Sequence, residues 1–423
     1  MSQPEVLRAL DDPGCPVCRA GAWTEERTVH ALVTEHYTDG YVIALVRDAL
    51  GFCPAHVRRL AGRLEAPYVL RLLYGEATRV ALARLRTARR RASCQLCTFK
   101  GRSERATLRM LLHALPRPSA AAAYRTHGGL CVPHALAGLA GADPRIVPVV
   151  IEALYERRSL QDLGGEDTDR VARHRARSRL MPAAGDPVCS TLTALRDRLA
   201  LATCPACLAG GRMERRYLTW LNAESATNPD GLAAEGTWLC PRHLWDLTTD
   251  ASGAIAWAVQ YHGGRLGAEI DRWRPLIRSR SRGKLMGWLQ DRSAMRRAVE
   301  PLGRQRRCSA CVTVETAERR ELDLVVTALT DRPTRAVYYE SHGLCWRHAQ
   351  IRPDPAVREV LAARLGVLVW ELDEGGRKSA WSSRHESHGD EARAWLRAPV
   401  QLDGRAFLGA PPPLGEHVET QGD

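Results

Sequence analysis

Four times along this chain of 423 residues a CxxC pair is followed, after 32 to 34 intervening residues, by a CxxH pair. Read in order, Cys15 and Cys18 pair with Cys53 and His56, and Cys94 and Cys97 with Cys131 and His134. Likewise, Cys204 and Cys207 pair with Cys240 and His243, and Cys308 and Cys311 with Cys345 and His348. Each set offers three thiolates and one imidazole, the donor list of a closed four-coordinate zinc site whose binding energy goes into folding. Such sites have no open coordination position, so they point to four zinc ions acting as staples rather than as catalytic centres.

The competing meanings of CxxC fail on neighbouring residues. Covalent haem attachment requires His directly after the second cysteine, where Arg19, Thr98, Leu208 and Val312 stand. A thioredoxin-like dithiol needs an α/β scaffold and gives no reason for a matching CxxH. An iron-sulfur cluster held by three Cys and one His is the alternative that ligand identity leaves open. Twelve of the thirteen cysteines fall in the four sets, and Cys189 reads as a buried small hydrophobe. Thiols used in this way belong to a reducing compartment, and there is neither a signal-like N-terminal stretch nor a run of 18 apolar residues. The expectation is a cytoplasmic protein without a membrane span.

Aligned on the second cysteine of each CxxC, the repeats share more than their ligands. Seven residues on stand Glu25, Glu104, Glu214 and Glu318; eleven on, Val29, Leu108, Leu218 and Leu322; fourteen on, Leu32, Leu111, Leu221 and Val325. These apolar offsets follow the 3.6-residue period, so a helix of four or five turns is predicted after each CxxC. A second helix is predicted to start at each CxxH, and longer amphipathic stretches close the units at 67–90, 144–163, 255–274 and 355–372. The fold class is all-α: tandem metal-stapled helical repeats, four CxxC/CxxH units arranged as two pairs, with three helical segments in each.

The expected boundaries are repeat 1 at 1–92, repeat 2 at 93–163, a polar linker at 164–190, repeat 3 at 191–303, repeat 4 with its closing helix at 304–408, and a flexible tail at 409–423. The closing helix is suggested by an echo: Arg297-Ala298-Val299-Glu300-Pro301-Leu302-Gly303 precedes the fourth CxxC, and Arg397-Ala398-Pro399-Val400-Gln401-Leu402-Asp403-Gly404 ends the array.

CxxC and CxxH at helix starts place their side chains on one side of a first turn, where free amides and the positive end of the helix dipole favour thiolates. The repeated glutamate lies one turn before the apolar stripe. Two roles fit it equally: a carboxylate accepting the free N–H of His56, His134, His243 or His348, or an ion pair with an arginine on the helix surface. His30, His36, His385 and His388 read as ordinary surface or partly buried histidines. No Walker loop, dinucleotide glycine fingerprint, HExxH or GxSxG is present, so catalysis is not expected.

The net charge of +13 comes almost wholly from arginine, with Lys only at 100, 284 and 378. Arg-dense stretches at 84–91, 170–179 and 278–282 could contact phosphates. Without interleaved aromatic residues for base stacking they read first as solvated helix ends and linkers. The partner expected of such a scaffold is therefore a protein, with nucleic acid as the alternative.

The combination of CPxC, a helix carrying Glu at this offset, and G-[FL]-CxxH opening another helix resembles a bacterial family of uncharacterised CxxC/CxxH helical proteins. Cys15-Pro16-Val17-Cys18 with Gly51-Phe52-Cys53-Pro54-Ala55-His56 carries the resemblance best, followed by Cys204-Pro205-Ala206-Cys207. Trp238 departs from the glycine, and Gln95 and Ser309 from the proline. The resemblance implies an all-α fold and metal ligation, and no activity.

Overall fold

The computed structural model describes residues 14–85, 92–126, 129–139, 192–234, 237–247, 307–383 and 385–406, with isolated positions at 10, 12, 146, 149–150, 153 and within 257–271. Among the described residues every regular element is helical and there is no strand. Outside them lie the expected linker at 164–190 with Cys189, the arginine stretches at 170–179 and 278–282 and most of that at 84–91, the echo at 297–303, and the tail from 409. So does most of the closing stretches at 144–163 and 255–274. None of the described helices is long and apolar enough to cross a membrane.

All four CxxC helices form. They are α1 (Pro16–Ala31, continued by a π turn, Leu32–His36), α5 (Gln95–Ala114), α9 (Pro205–Thr227) and α12 (Ser309–Ala328). The CxxH helices are α3 (Pro54–Ala61), α7 (Val132–Leu139), α11 (Pro241–Leu247) and α14 (Trp346–Ile351). Two closing helices are described, α4 (Ala66–Arg84) and α15 (Pro355–Lys378), together with α8 (Leu192–Leu199) and a final α16 (Ala394–Leu402). Each repeat also holds a short helix that the three-segment expectation omits, between the CxxC helix and the CxxH: α2 (Gly40–Asp48), α6 (Pro118–Thr126), α10 (Pro229–Ala234) and α13 (Arg332–Glu340). These are six to nine residues long, too short for a 3.6-residue periodicity to stand out from noise. Two carry local start signals instead. Asp39 accepts from the Tyr41 amide and Asp331 from the Thr334 amide, each a side-chain cap over free helix donors.

The chain gathers into two compact units, neither of them a run of consecutive sequence. One comprises Met1–Glu25, Phe99–Arg170 and Tyr217–Val312; the other Glu26–Thr98, Val171–Arg216 and Thr313–Asp423. The first unit has two apolar cores. One is built around Leu108, Leu111, Tyr124, Leu130 and Leu139, the other around Leu218, Leu221, Leu239 and Trp257. The second unit has one large core, in which α15 packs along α4 and both contact α16. The offsets 11 and 14 from each CxxC recur in these cores, as the helical period requires: Val29, Leu32, Leu108, Leu111, Leu218, Leu221, Leu322 and Val325 are all buried.

Candidate metal centres

Eight cysteines, the first of each CxxC and each CxxH, stand at helix starts. The carbonyls of Cys15, Cys94, Cys204 and Cys308 accept from the amides of Arg19, Thr98, Leu208 and Val312 at 3.0–3.1 Å. Those of Cys53, Cys131, Cys240 and Cys345 accept from Val57, Ala135, Leu244 and Ala349 at 2.9–3.0 Å. The cysteine is thus the residue just before the helix in every case, at the end where the amides of the first turn have no partner within the helix.

The sixteen expected ligands do assemble into four Cys3His quartets, but the pairing read from sequence order is wrong. Site 1 is Cys15, Cys18, Cys131 and His134; site 2 is Cys53, His56, Cys94 and Cys97; site 3 is Cys204, Cys207, Cys345 and His348; site 4 is Cys240, His243, Cys308 and Cys311. Each CxxC meets the CxxH of the other repeat in its pair.

Helix length is the reason. A helix of about twenty residues is about 30 Å long, and each CxxC helix begins in one compact unit and ends in the other, with boundaries at 25/26, 98/99, 216/217 and 312/313. The CxxH that follows therefore folds in the unit where its helix ends, and the CxxC belongs to the unit where that helix began. Within the first unit the exchange is visible directly. Glu104 lies across Gly21, Thr24 Oγ1 donates to Ser103 Oγ at 2.8 Å, and Lys100 Nζ donates to Glu25 Oε2 at 2.9 Å. As α1 numbers rise α5 numbers fall, so the two helices run antiparallel. The start of α1, with Cys15 and Cys18, lies beside the later turns of α5, from which the chain continues to Cys131.

In all four quartets the imidazole faces the sulfurs with Nδ1. The Sγ···Nδ1 distances are 3.2–3.5 Å in site 1, 3.1–3.5 Å in site 2, 3.3–3.4 Å in site 3 and 3.2–3.5 Å in site 4. The sulfurs of Cys18 and Cys131 are 3.7 Å apart, those of Cys53 and Cys97 3.6 Å, and those of Cys207 and Cys345 3.8 Å. A tetrahedron with metal–sulfur bonds of ~2.3 Å and a metal–nitrogen bond of ~2.0 Å has edges of about 3.8 Å between sulfurs and about 3.5 Å from sulfur to nitrogen. The quartets have the size of a single-ion site.

Their electrostatics call for a cation. Hydrogen bonds from the neighbouring sulfurs of Cys131, Cys53 and Cys240 hold Cys15, Cys94 and Cys308 far below the usual thiol range. Contacts with the sulfurs of Cys15, Cys53 and Cys240 push Cys131, Cys97 and Cys311, respectively, far above it. Burial pushes the His134 imidazole down, but the sulfurs of Cys15 and Cys18 outweigh it and raise the ring to about 10. Three sulfurs this close cannot all ionise unless a positive charge sits among them, which a divalent ion would supply. The four clusters could each hold a metal ion.

The quartets differ in access. In site 3 Cys204, Cys207, Cys345 and His348 are all fully buried, and the backbone closes over them at Gly404. A methyl group there would lie 2.6 Å from Cys207 Sγ, so the residue beside this sulfur has to be glycine. Site 1 buries its three cysteines, site 4 leaves Cys240 and Cys311 half-buried, and in site 2 Cys53 is half-buried and Cys97 exposed.

Of the repeated glutamates, Glu318 makes ion pairs with arginine and lies close to a ligand histidine ring. Its Oε2 is 3.5 Å from His348 Nε2, the nitrogen turned away from the sulfurs, and it also accepts from Arg347 Nη2 at 2.8 Å. Its Oε1 accepts from Arg405 Nε at 2.9 Å and Nη2 at 2.5 Å. Glu25 pairs with Lys100 at 2.9 Å. Glu104 is raised above the usual carboxylate range by burial, which the nearby positive charges of His134 and Lys100 only partly offset. Glu214 is buried on α9. Arg84, from the first arginine-dense stretch, is engaged with Asp48 at 3.1 Å. His30, His36, His385 and His388 join no quartet.

Sequence reading missed the tyrosines that hold the CxxH turns. In G-[FL]-C the glycine has positive φ, 90° at Gly51, 57° at Gly129 and 70° at Gly343. The amide of the next residue then donates to a buried tyrosine hydroxyl: Phe52 to Tyr74 at 3.1 Å, Leu130 to Tyr124 at 3.2 Å, Leu344 to Tyr338 at 3.1 Å. A signal existed, since Tyr124 and Tyr338 both stand seven residues before the cysteine. Repeat 1 hides it by drawing Tyr74 from α4 instead. In repeat 3, where Trp238 replaces the glycine, the turn is held otherwise: Trp238 accepts at its carbonyl from the Ser309 amide at 2.8 Å, and its own amide donates to Ser309 Oγ at 3.3 Å.

Two effects on stability follow. Gly129→Ala combines left-handed strain of ~1–2 kcal/mol with a methyl group 2.3–2.6 Å from the Tyr124 ring. A thermal melt is expected to show it markedly less stable, and a wild-type midpoint would remove the argument. Tyr338→Phe leaves the buried Leu344 amide without its acceptor at a cost of ~1–3 kcal/mol, read from denaturant midpoints at unchanged slope. No protein-family model, curated protein sequence or solved structure matches the chain.

Proposed function

We propose that this chain is a zinc protein in which four single ions, each held by three thiolates and an imidazole, join helix starts that the sequence separates, making a helical scaffold for a macromolecular partner. The observation that carries this reading is the size of the quartets, whose ligand atoms all lie within 4.8 Å of one another, with one sulfur pair in each of sites 1, 2 and 3 at 3.6–3.8 Å. One ion fills that space. An iron-sulfur cluster interposes several iron and sulfide atoms between its ligands and needs them spread wider. When bound, the ion supplies the positive charge the crowded sulfurs require. The chain supplies the donors, the helix-start amides that favour thiolate, and in site 3 the carboxylate of Glu318 beside the imidazole.

The donor set is closed, which supports a structural role for the metal and moves function to the surfaces. Trp370 and Val367, one turn apart on α15, are both at least half exposed, as are Tyr41 on α2 and Leu64 and Tyr68 around the start of α4. Apolar groups of this kind support a protein partner over nucleic acid. Reduced thiolates fit a reducing compartment such as the cytoplasm.

Elemental analysis of the chain purified without added metal tests the reading. Four zinc ions per chain and a colourless solution are expected. Iron with visible charge-transfer absorption, or no stoichiometric metal, refutes it. Binding to nucleic acid that falls steeply with salt would replace the protein partner with a phosphate backbone.

A further inference from the structure

We infer that site 2 is a peroxide-responsive centre, where oxidation joins Cys53 to Cys97 and discharges one ion while the other three stay in place. The inference rests on the reading of the quartets as zinc sites and adds a reactivity that distinguishes one of them. Bound thiolates remain nucleophiles, and what limits their oxidation is access to the sulfur.

Access is unequal by design of the fold. Cys97 is the exposed member of all twelve ligand cysteines, and Cys53, half-buried, has its sulfur 3.6 Å away. Cys94 and His56, the other two ligands of the site, are buried. A hydroperoxide can thus reach one sulfur, and the sulfur next to it is placed to resolve the product. Sites 1 and 3 bury all three of their cysteines, and site 4 offers two half-buried ones. The expected order of oxidation is site 2, then site 4, with sites 1 and 3 last.

The chemistry balances with hydrogen peroxide as the oxidant. The Cys97 thiolate attacks one peroxide oxygen, breaking the O–O bond and giving a sulfenic acid and hydroxide. The Cys53 thiolate then attacks the Cys97 sulfur and expels the second hydroxide as the S–S bond forms. Two sulfurs lose two electrons, the peroxide gains them, and two ligands, Cys94 and His56, are left for the ion, too few to hold it. A dithiol such as dithiothreitol reverses the disulfide by exchange, and added zinc restores the site.

The test uses the full chain with its metal content measured first, then titrated with hydrogen peroxide in the presence of a zinc-sensitive dye. At each point the mixture is alkylated and its disulfides are mapped by mass spectrometry. The expected result is a first phase that releases one of the four ions, coincides with a Cys53–Cys97 disulfide, and reverses with dithiothreitol and zinc. Simultaneous release of all four ions, or a first disulfide at any other pair, overturns the inference while leaving the zinc reading intact. A chain that carries no zinc before oxidation overturns both.

Discussion

Stripping the ions with a strong chelator is expected to unfold both compact units, seen as loss of far-ultraviolet helical signal and of the cooperative thermal transition. A structural zinc site of this donor type contributes ~10–16 kcal/mol of apparent binding free energy at neutral pH, against a net stability of ~5–15 kcal/mol for a whole domain. Each compact unit contains two quartets. Each quartet joins segments far apart in sequence: Cys18 with Cys131 across 113 residues, Cys207 with Cys345 across 138. Without the ion, three sulfurs within 4.8 Å of one another and of an imidazole must either protonate or repel. Site 3, whose four ligands are all buried, should be the most costly to lose, so His348→Ala is expected to remove one ion and lower the melting point more than His56→Ala does. A chelated chain that keeps its helicity and its transition would show that the apolar cores suffice on their own.

Glu318→Ala is expected to be the most damaging substitution outside the ligands. The carboxylate is buried and receives Arg347, Arg405 and the far side of the His348 ring. Removing it takes from two guanidinium groups the carboxylate they share beside the ligands of site 3. The cost of breaking a buried charge pair is ~3–5 kcal/mol, and the lower end applies because both arginines keep partial contact with water. Glu318→Gln separates the two roles of the residue. It keeps an acceptor near His348 Nε2 but removes the charge, so stability should fall less than with alanine, while zinc affinity at site 3 should drop by about 10–100-fold if the carboxylate raises the basicity of the ring. Competition against a chelator of known affinity measures the second quantity. An unchanged affinity would leave Glu318 as an ion-pair hub alone.

The chemistry of this protein was legible one residue at a time. Cysteine and histidine at three-residue spacing announce helix starts and metal ligands because both depend on local geometry, and all eight motifs do begin helices. The apolar offsets after each CxxC identify core positions for the same reason, a 3.6-residue period confined to one helix. The short helices α2, α6, α10 and α13 escaped because one or two turns carry too little pattern. The tyrosines of the CxxH turns escaped because one of the three, Tyr74, comes from a different helix than its counterparts.

Partnership is another matter. Nothing in the order Cys15, Cys18, Cys53, His56 says that the first two will meet Cys131 and His134 instead. That choice depends on a helix about 30 Å long carrying the chain out of one compact unit and into the other, and on a neighbouring helix running back beside it. Ligand identity follows from side-chain chemistry, which the residues themselves carry. The exchange of ligands between repeats, and with it the exposure that sets Cys97 apart from the buried sulfurs of site 3, arises only when helices of given length pack against one another.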